Sequence, residues 1–151
     1  MSGILPGTRA SRPSAPPPGP FLLPAHVPLL ARALGGLSSS APYWSRVDSV
    51  EAFSPGIYLV VDAQGRIVWL GMGAGDRGVT GRIKKHLEEP WKMATFHRVW
   101  VAPAYDQTSR AALKAAEGWA ADALDLRTRM PFRTWPPSSN WRSLVGGQQA
   151  T

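Results

Sequence analysis

Four side chains that can move protons, bind anions or ligate cations are spread over the middle of the chain: Tyr58, Arg82, His86 and Glu117. A phenol and an imidazole exchange protons, a guanidinium binds oxyanions through a rigid fork of donors, and a carboxylate can ligate a metal. Each of them alone is most simply a core aromatic, a structural histidine, a solvated helix residue or half of a surface ion pair. They can act jointly only where the fold brings them together.

The run 55–73, PGIYLVVDAQGRIVWLGMG, predicts a β-hairpin. GIYLVVD and RIVWLGM are β-branched and aromatic, and AQGR between them is a turn in which Gly65 can take a positive φ. Tyr58 lies near the start of the first strand and Trp69 near the end of the second. The two aromatics are therefore expected to be neighbours at the open end of the hairpin.

A glycine-rich loop follows the hairpin, and TGRIKKHLEE, from Thr80, predicts a short helix that cannot continue through Pro90. Arg82 and His86 are four residues apart in this segment and therefore share one face of the helix.

A third strand is predicted over 96–102, where apolar and polar residues alternate. An alanine-rich helix then runs from Gln107 to about Arg127, with Asp106 or Thr108 as candidate N-caps. Glu117 lies in the middle of this helix, among alanine and tryptophan, and is either a solvated group or a ligand that points into a cleft. The order of elements predicts a small α+β domain in which helices flank a three-stranded antiparallel sheet.

Residues 1–42 are expected to form an arm rich in proline, serine and glycine, and residues 43–151 the globular domain. Within the arm, VPLLARALGGL could form a short helix that ends at Gly35 and Gly36 and either packs on the domain or acts as an adaptor. A protein partner could bind through the arm, which would place the domain in a larger assembly.

The composition narrows the classes of function. The chain has 151 residues, a formal charge of +7 and a pI of about 10.6, a balance that suits an anionic partner such as nucleic acid. It has no cysteine, which excludes disulfides, cysteine-ligated zinc and a thiol nucleophile. No apolar run approaches the ~20 residues of a membrane span, and we expect a cytoplasmic protein without a membrane partner.

In this order and at this spacing, the residues resemble the GIY-YIG nuclease superfamily over about 55–141. The family has Gly-Ile-Tyr on one strand, Tyr-Ile-Gly on the next, an Arg followed by a His or Tyr on the first helix, a later Glu and often a late Asn. The matching residues are Gly56-Ile57-Tyr58, Trp69-Leu70-Gly71, Arg82, His86, Glu117 and Asn140.

The resemblance implies a compact endonuclease that hydrolyses DNA phosphodiester bonds. Tyr58 would be the general base or relay the proton of the attacking water, and His86 would orient Tyr58 or the water, or share the base role. Arg82 would bind the phosphate, and Glu117 would bind one Mg²⁺ or Mn²⁺. Gly56, Trp69, Gly71 and Asn140 would shape the pocket. Candidate DNA contacts are Lys84, Lys85, Lys92, Arg98 and Arg133.

One residue departs from the family pattern: Trp69 stands where the family usually has tyrosine. An indole donates one hydrogen bond, accepts none and cannot act as a base. The alternative is therefore a catalytically inactive domain of this type that binds nucleic acid or a protein.

Overall fold

The fold is described from a computed structural model, which describes residues 15–138. The strands are β1 Tyr43–Arg46, β2 Gly56–Val61, β3 Ile67–Gly73 and β4 Arg98–Pro103. The helices are α1 His26–Leu34, α2 Gly78–His86, α3 Pro90–Thr95, α4 Arg110–Ala123 and α5 Leu126–Arg129, and a 3-10 turn spans Gly35–Leu37.

The sheet is antiparallel and has four strands in the order β1-β4-β2-β3. The predicted α+β class is confirmed, but the predicted count of three strands is wrong, because β1 adds a strand at the edge of β4. In that pair Trp44 lies opposite Trp100. Only four residues long, β1 is too short to show a period-2 pattern in the sequence, and its pairing with β4 identifies it as a strand.

The predicted hairpin is confirmed as β2 and β3. Its turn is closed by Asp62, whose Oδ1 accepts hydrogen bonds from the backbone N–H groups of Gln64 and Arg66 at 3.0 and 2.9 Å, and Gly65 has φ of 86°. The register places Tyr58 opposite Gly71, and Trp69 opposite Val60. The two aromatics are therefore diagonal neighbours on one face of the sheet.

Helices cover both faces of the sheet. On one face α1 and α4 pack against Ile57, Leu59 and Trp100. On the other face Val79 and Ile83 of α2 pack with Phe96 against Tyr58, Val60 and Val101. The near-continuous burial of β2 follows from this arrangement, because side chains on both faces of a covered strand lie in a core.

The predicted helices are present, with different ends. Neither Asp106 nor Thr108 is the N-cap of α4: that residue is Ser109, whose Oγ accepts from Ala112 N–H at 3.1 Å. The helix ends at Ala123, and Asp125 follows in a left-handed conformation with φ of 56°.

The described part of the N-terminal region packs on the domain. Leu30 and Leu34 of α1 lie in the same core as Leu113 of α4. Further upstream, Gly19 N–H donates to the carbonyl of Ile67, an edge contact with β3. No helix within residues 15–138 is long and apolar enough to cross a membrane.

Candidate active site

A cleft of about 340 Å³ lies at the edge of the sheet formed by β3. Its lining residues come from β2, β3, α2, α4 and the segment after α5. They are Tyr58, Gly71, Met72, Ala74, Arg82, Arg110, Glu117 and Arg133. Tyr58, Arg82 and Glu117, which are distant in sequence, thus meet in one cavity.

Tyr58 reaches the cleft across the neighbouring strand. Its position opposite Gly71 leaves the space over β3 free of a side chain, and a Cβ built on Gly71 would stand 2.6 Å from the phenol oxygen. The Tyr58 hydroxyl lies 2.8 Å from His86 Nε2. Burial raises the pKa of Tyr58, and the charge and hydrogen bond of Arg82 oppose that shift.

Thr80 anchors the start of α2, the helix that carries Arg82 and His86, to the segment before β2. Thr80 Oγ1 accepts from Ala52 N–H at 2.6 Å and donates to the carbonyl of Val50 at 3.3 Å. His86 is buried, and burial together with the charges of Lys92, Arg82 and Arg133 lowers its pKa to about 3. Its imidazole is therefore neutral at physiological pH.

Glu117 is 6% exposed and lines the cleft, which supports the second of its two sequence interpretations. Its Oε2 lies 3.5 Å from Arg133 Nη2. Burial raises the pKa of the Glu117 carboxyl, and the charges of Arg133, Lys114 and Arg82 oppose that shift. A carboxylate held among cations in a cleft is a candidate for cation binding or proton transfer.

Arg133 lies inside the cleft and bonds to β3. Its guanidinium donates to the carbonyl of Leu70 and lies 3.8 Å from the centroid of the Trp69 ring. The segment that holds it is linked to α4 through Arg127 of α5, which donates to the carbonyls of Trp135 and Pro136 and to the carbonyl of Gly118 on α4. Arg133, which the sequence predicts as a DNA contact, is thus a direct neighbour of Glu117.

Two cations lie close to the ring of Trp69. Besides Arg133, the Lys92 ammonium lies 4.0 Å from its ring centroid. The indole nitrogen is buried and has no hydrogen-bond partner among the residues that the structure describes. Trp69, predicted to shape the pocket, does not line the cleft: it offers its ring face to the two cations, and its N–H group is turned away from solvent.

The other predicted DNA contacts lie in different settings. Lys84 and Lys85 are exposed on α2, the helix of Arg82. Arg98 is exposed at the start of β4, where its guanidinium lies 4.5 Å from the ring centroid of Trp44. Lys92 is only 5% exposed, and its ammonium bonds to His86 and Glu89.

Two other residues, Gly56 and Asn140, are predicted to shape the pocket, and Gly56 is not among those that line the cleft. Gly56 lies at the start of β2, opposite Gly73 and Pro103, and a Cβ there would collide with the backbone of β4. Asn140 lies outside the described residues. Sequence reasoning overlooked Arg110, the first residue of α4, which lines the cleft. No pattern in the sequence sets Arg110 apart from the other arginines of the chain.

A preformed metal cage is absent from the described part of the chain: no group of three or more His, Cys, Asp or Glu side chains is placed to hold an ion there. Glu117 is the only carboxylate that lines the cleft within residues 15–138. Mg²⁺ is often bound through one or two carboxylates, with water and substrate phosphate completing its shell. Glu117 could therefore supply the protein ligand of a cation whose other ligands are water and the substrate phosphate.

The chain matches no protein-family model, no curated protein and no solved structure. Function therefore has to be inferred from the residues of the cleft and their chemistry.

Proposed function

We propose that this protein is a metal-dependent endonuclease of the GIY-YIG type that hydrolyses DNA phosphodiester bonds. The observation that carries the proposal is the convergence of Tyr58, Arg82 and Glu117 on one cleft, with the Tyr58 hydroxyl 2.8 Å from His86. This set combines a proton-transfer group, a phosphate-binding cation and a carboxylate, which are the elements that phosphodiester hydrolysis requires.

Tyr58 is the proton acceptor for the attacking water in this proposal. Its ordinary pKa of about 10 and its burial both disfavour the phenolate. The Arg82 guanidinium and the hydrogen bond with His86 favour it, because positive charge and donated hydrogen bonds stabilise an anionic oxygen. Arg82 also offers paired donors to the non-bridging oxygens of the phosphate.

Glu117 is the residue that would hold Mg²⁺ or Mn²⁺, with Arg133 withdrawn from its oxygen. A bound divalent ion supplies Lewis-acid stabilisation of the leaving oxygen and of the charge that develops at phosphorus. Arg133 remains in the cleft beside Trp69, where it can pair with the phosphate instead of with the carboxylate.

The charge of the cleft supports a polyanionic substrate. Among the described residues, three arginines, Arg82, Arg110 and Arg133, line it against one carboxylate, that of Glu117. Lys84 and Lys85 extend the positive surface along α2. A chain with a formal charge of +7 also attracts nucleic acid at long range and at low salt.

A second candidate function, binding of nucleic acid without cleavage, is favoured by one observation. The Trp69 indole nitrogen is buried without a partner among the described residues, so it cannot replace the hydroxyl of a second tyrosine at a water or a phosphate. Cleavage then depends on Tyr58 alone for proton transfer.

Cleavage of supercoiled plasmid in the presence of Mg²⁺ or Mn²⁺ tests the proposal. Wild-type protein is expected to nick or linearise the plasmid, and Glu117→Gln and Arg82→Ala to reduce the rate by about 100-fold or more, the order of loss for a removed transition-state contact. Matched controls are Glu51→Gln and Arg32→Ala, exposed residues outside the cleft, which are expected to cut at the wild-type rate.

Gel-shift measurements on the same samples separate the candidates. Plasmid that is bound but left intact under every metal and pH condition supports binding without cleavage. Cleavage that survives in both cleft variants contradicts the proposed site, and absence of both binding and cleavage contradicts both functions.

A further inference from the structure

A buried lysine behind the cleft is not explained by the roles given above. Lys92 on α3 is 5% exposed, although lysine is almost never buried unless it is paired. Its ammonium forms an ion pair with Glu89 Oε2 at 2.5 Å and lies 2.9 Å from His86 Nδ1. It lies six residues beyond His86, the histidine that contacts Tyr58, and on the next helix.

The chemistry of these groups gives the hydrogen bonds a direction. A lysine ammonium has three donors and no acceptor, so Nδ1 of His86 must accept from Lys92. A neutral imidazole has one N–H, which then resides on Nε2. Nε2 lies 2.8 Å from the Tyr58 oxygen, and therefore His86 donates to that oxygen.

We propose that Lys92 is a positioning residue that holds His86 in the tautomer with its proton on Nε2, so that the Tyr58 oxygen accepts a hydrogen bond from His86 and directs its own proton toward the cleft. This inference rests on the proposed nuclease function. It distinguishes between the roles open to His86: with its Nε2 already protonated, His86 cannot take a proton from Tyr58, and it supports the phenolate instead.

The surrounding charges agree with this direction. The groups that act on His86 are Lys92 from α3, Arg82 from its own helix, Arg133 from the segment after α5, and the Tyr58 hydroxyl from β2. The three cations oppose a positive charge on the ring. Protonation of Nδ1 would also remove the acceptor of the Lys92 hydrogen bond and place two cations together. The ring thus remains neutral with a single tautomer.

The hydrogen bonds from Lys92 to His86 and from His86 to Tyr58 both direct the positive end of the donor group toward the phenol oxygen. Each donor points the same way along the chain of hydrogen bonds, and such bonds strengthen one another. These hydrogen bonds stabilise the phenolate and so offset the cost of burying its charge. The proton that Tyr58 gains from water can leave only on the cleft side.

Heteronuclear NMR of the histidine ring nitrogens tests the tautomer in the DNA-free protein at about pH 8, well above the ordinary histidine pKa. The chain has three histidines, and the His86→Gln variant assigns the signal. Wild type is expected to show His86 with Nδ1 unprotonated and Nε2 protonated. A protonated Nδ1, or fast exchange between the tautomers, overturns the proposal without any use of nuclease activity.

Lys92→Met tests the consequence for catalysis. It is expected to mix the His86 tautomers, to lower the plasmid cleavage rate by about 10- to 100-fold, the usual loss when a residue that orients a functional side chain is removed, and to shift the rising limb of the pH–rate profile to higher pH. The loss is expected in kcat, with KM unchanged. Met93→Gln, a 70% exposed neighbour on α3, is the matched control and is expected to cut like wild type.

Glu89→Gln provides a variant that keeps Lys92 in place if Lys92→Met fails to fold. It removes the negative charge that pairs with the Lys92 ammonium, so the phenolate is better stabilised and the rising limb of the pH–rate profile is expected to shift slightly to lower pH. An unchanged profile in a folded Lys92→Met variant, or a shift to higher pH in Glu89→Gln, contradicts the proposal. Wild-type protein that shows the expected tautomer but cuts no DNA contradicts the nuclease function and leaves the tautomer assignment standing.

Discussion

Gly71 lies directly opposite Tyr58 in the pair of β2 and β3, and a Cβ on Gly71 would stand 2.6 Å from the Tyr58 hydroxyl oxygen. The same Cβ would stand 3.2 Å from Trp69 Nε1. The phenol therefore fills the volume that the side chain of any other residue would need at position 71. This relationship gives a structural reason for glycine at the end of the Trp-Leu-Gly triplet.

Gly71→Ala is expected to displace the Tyr58 ring and to break its 2.8 Å contact with His86. We expect a stability loss of about 1–3 kcal/mol from overpacking, and a fall in plasmid cleavage of about 100-fold, since a misplaced reacting group costs this much. Gly36→Ala, where a Cβ meets no atom within 4 Å, is the control. Cleavage at the wild-type rate by Gly71→Ala would argue against Tyr58 as the proton acceptor.

The lowered pKa of His86 predicts that the folded protein loses stability at acid pH. Its pKa in the folded protein, lowered from 6.5 to about 3, means that below pH 6.5 the unfolded chain binds a proton that the folded chain does not. Its contribution is therefore complete above pH 6.5 and is lost as pH falls toward 3, at up to ~1.4 kcal/mol per pH unit. Urea unfolding between these limits measures it.

His86→Gln is expected to flatten this part of the stability curve, and His97→Gln, which replaces an exposed histidine, is the control variant. Carboxylates that titrate in the same range contribute equally to all three proteins. Parallel curves for wild type and His86→Gln would show that the environment of His86 does not disfavour its charged form.

Arg133→Gln is expected to tighten the binding of Mn²⁺ to the DNA-free protein. The arginine lies 3.5 Å from Glu117 and competes with any cation for that carboxylate. Removing it should lower the Kd for Mn²⁺ by about three- to tenfold, or roughly 0.7–1.4 kcal/mol, and weaken DNA binding, since a phosphate contact is lost. Arg32→Gln is the exposed control, and calorimetric titration at about pH 8 gives the affinities. Weaker Mn²⁺ binding in Arg133→Gln would place the ion elsewhere.

Gly118→Ala is expected to loosen the segment that holds Arg133. A Cβ on Gly118 would collide with the backbone of Pro136 and Pro137, where that segment crosses α4. Alanine favours a helix by about 1 kcal/mol over glycine, so a net loss of stability measured by thermal unfolding would come from the collision. Gly35→Ala, whose nearest atom is Pro42 Cδ at 3.8 Å, is the control. An increase in stability for Gly118→Ala would contradict the close approach.

Local patterns in the sequence predict the hairpin, α1, α2 and α4, because each follows from short-range chemistry. A turn that contains Gly65 joins two runs of β-branched and aromatic residues, and apolar residues at helical spacing mark the faces that pack on the sheet. The same patterns place Arg82 and His86 on one helix face. Helix ends are less well predicted, since Ser109 as a cap differs from Thr108 only by one position along the chain.

Contacts between distant segments escape such patterns. β1 is a strand only because β4 lies beside it. In the sequence Lys92 cannot be told from the exposed Lys84, and only the packing of α3 against His86 shows that Lys92 is buried. Arg133 joins Glu117 because Arg127 of α5 links the segment after it, through the Trp135 carbonyl, to the Gly118 carbonyl of α4. Residue types and their order therefore establish which chemistry is available, whereas sheet register, glycine-sized gaps and packing of remote segments establish which groups touch, because those depend on free energies summed over the whole fold.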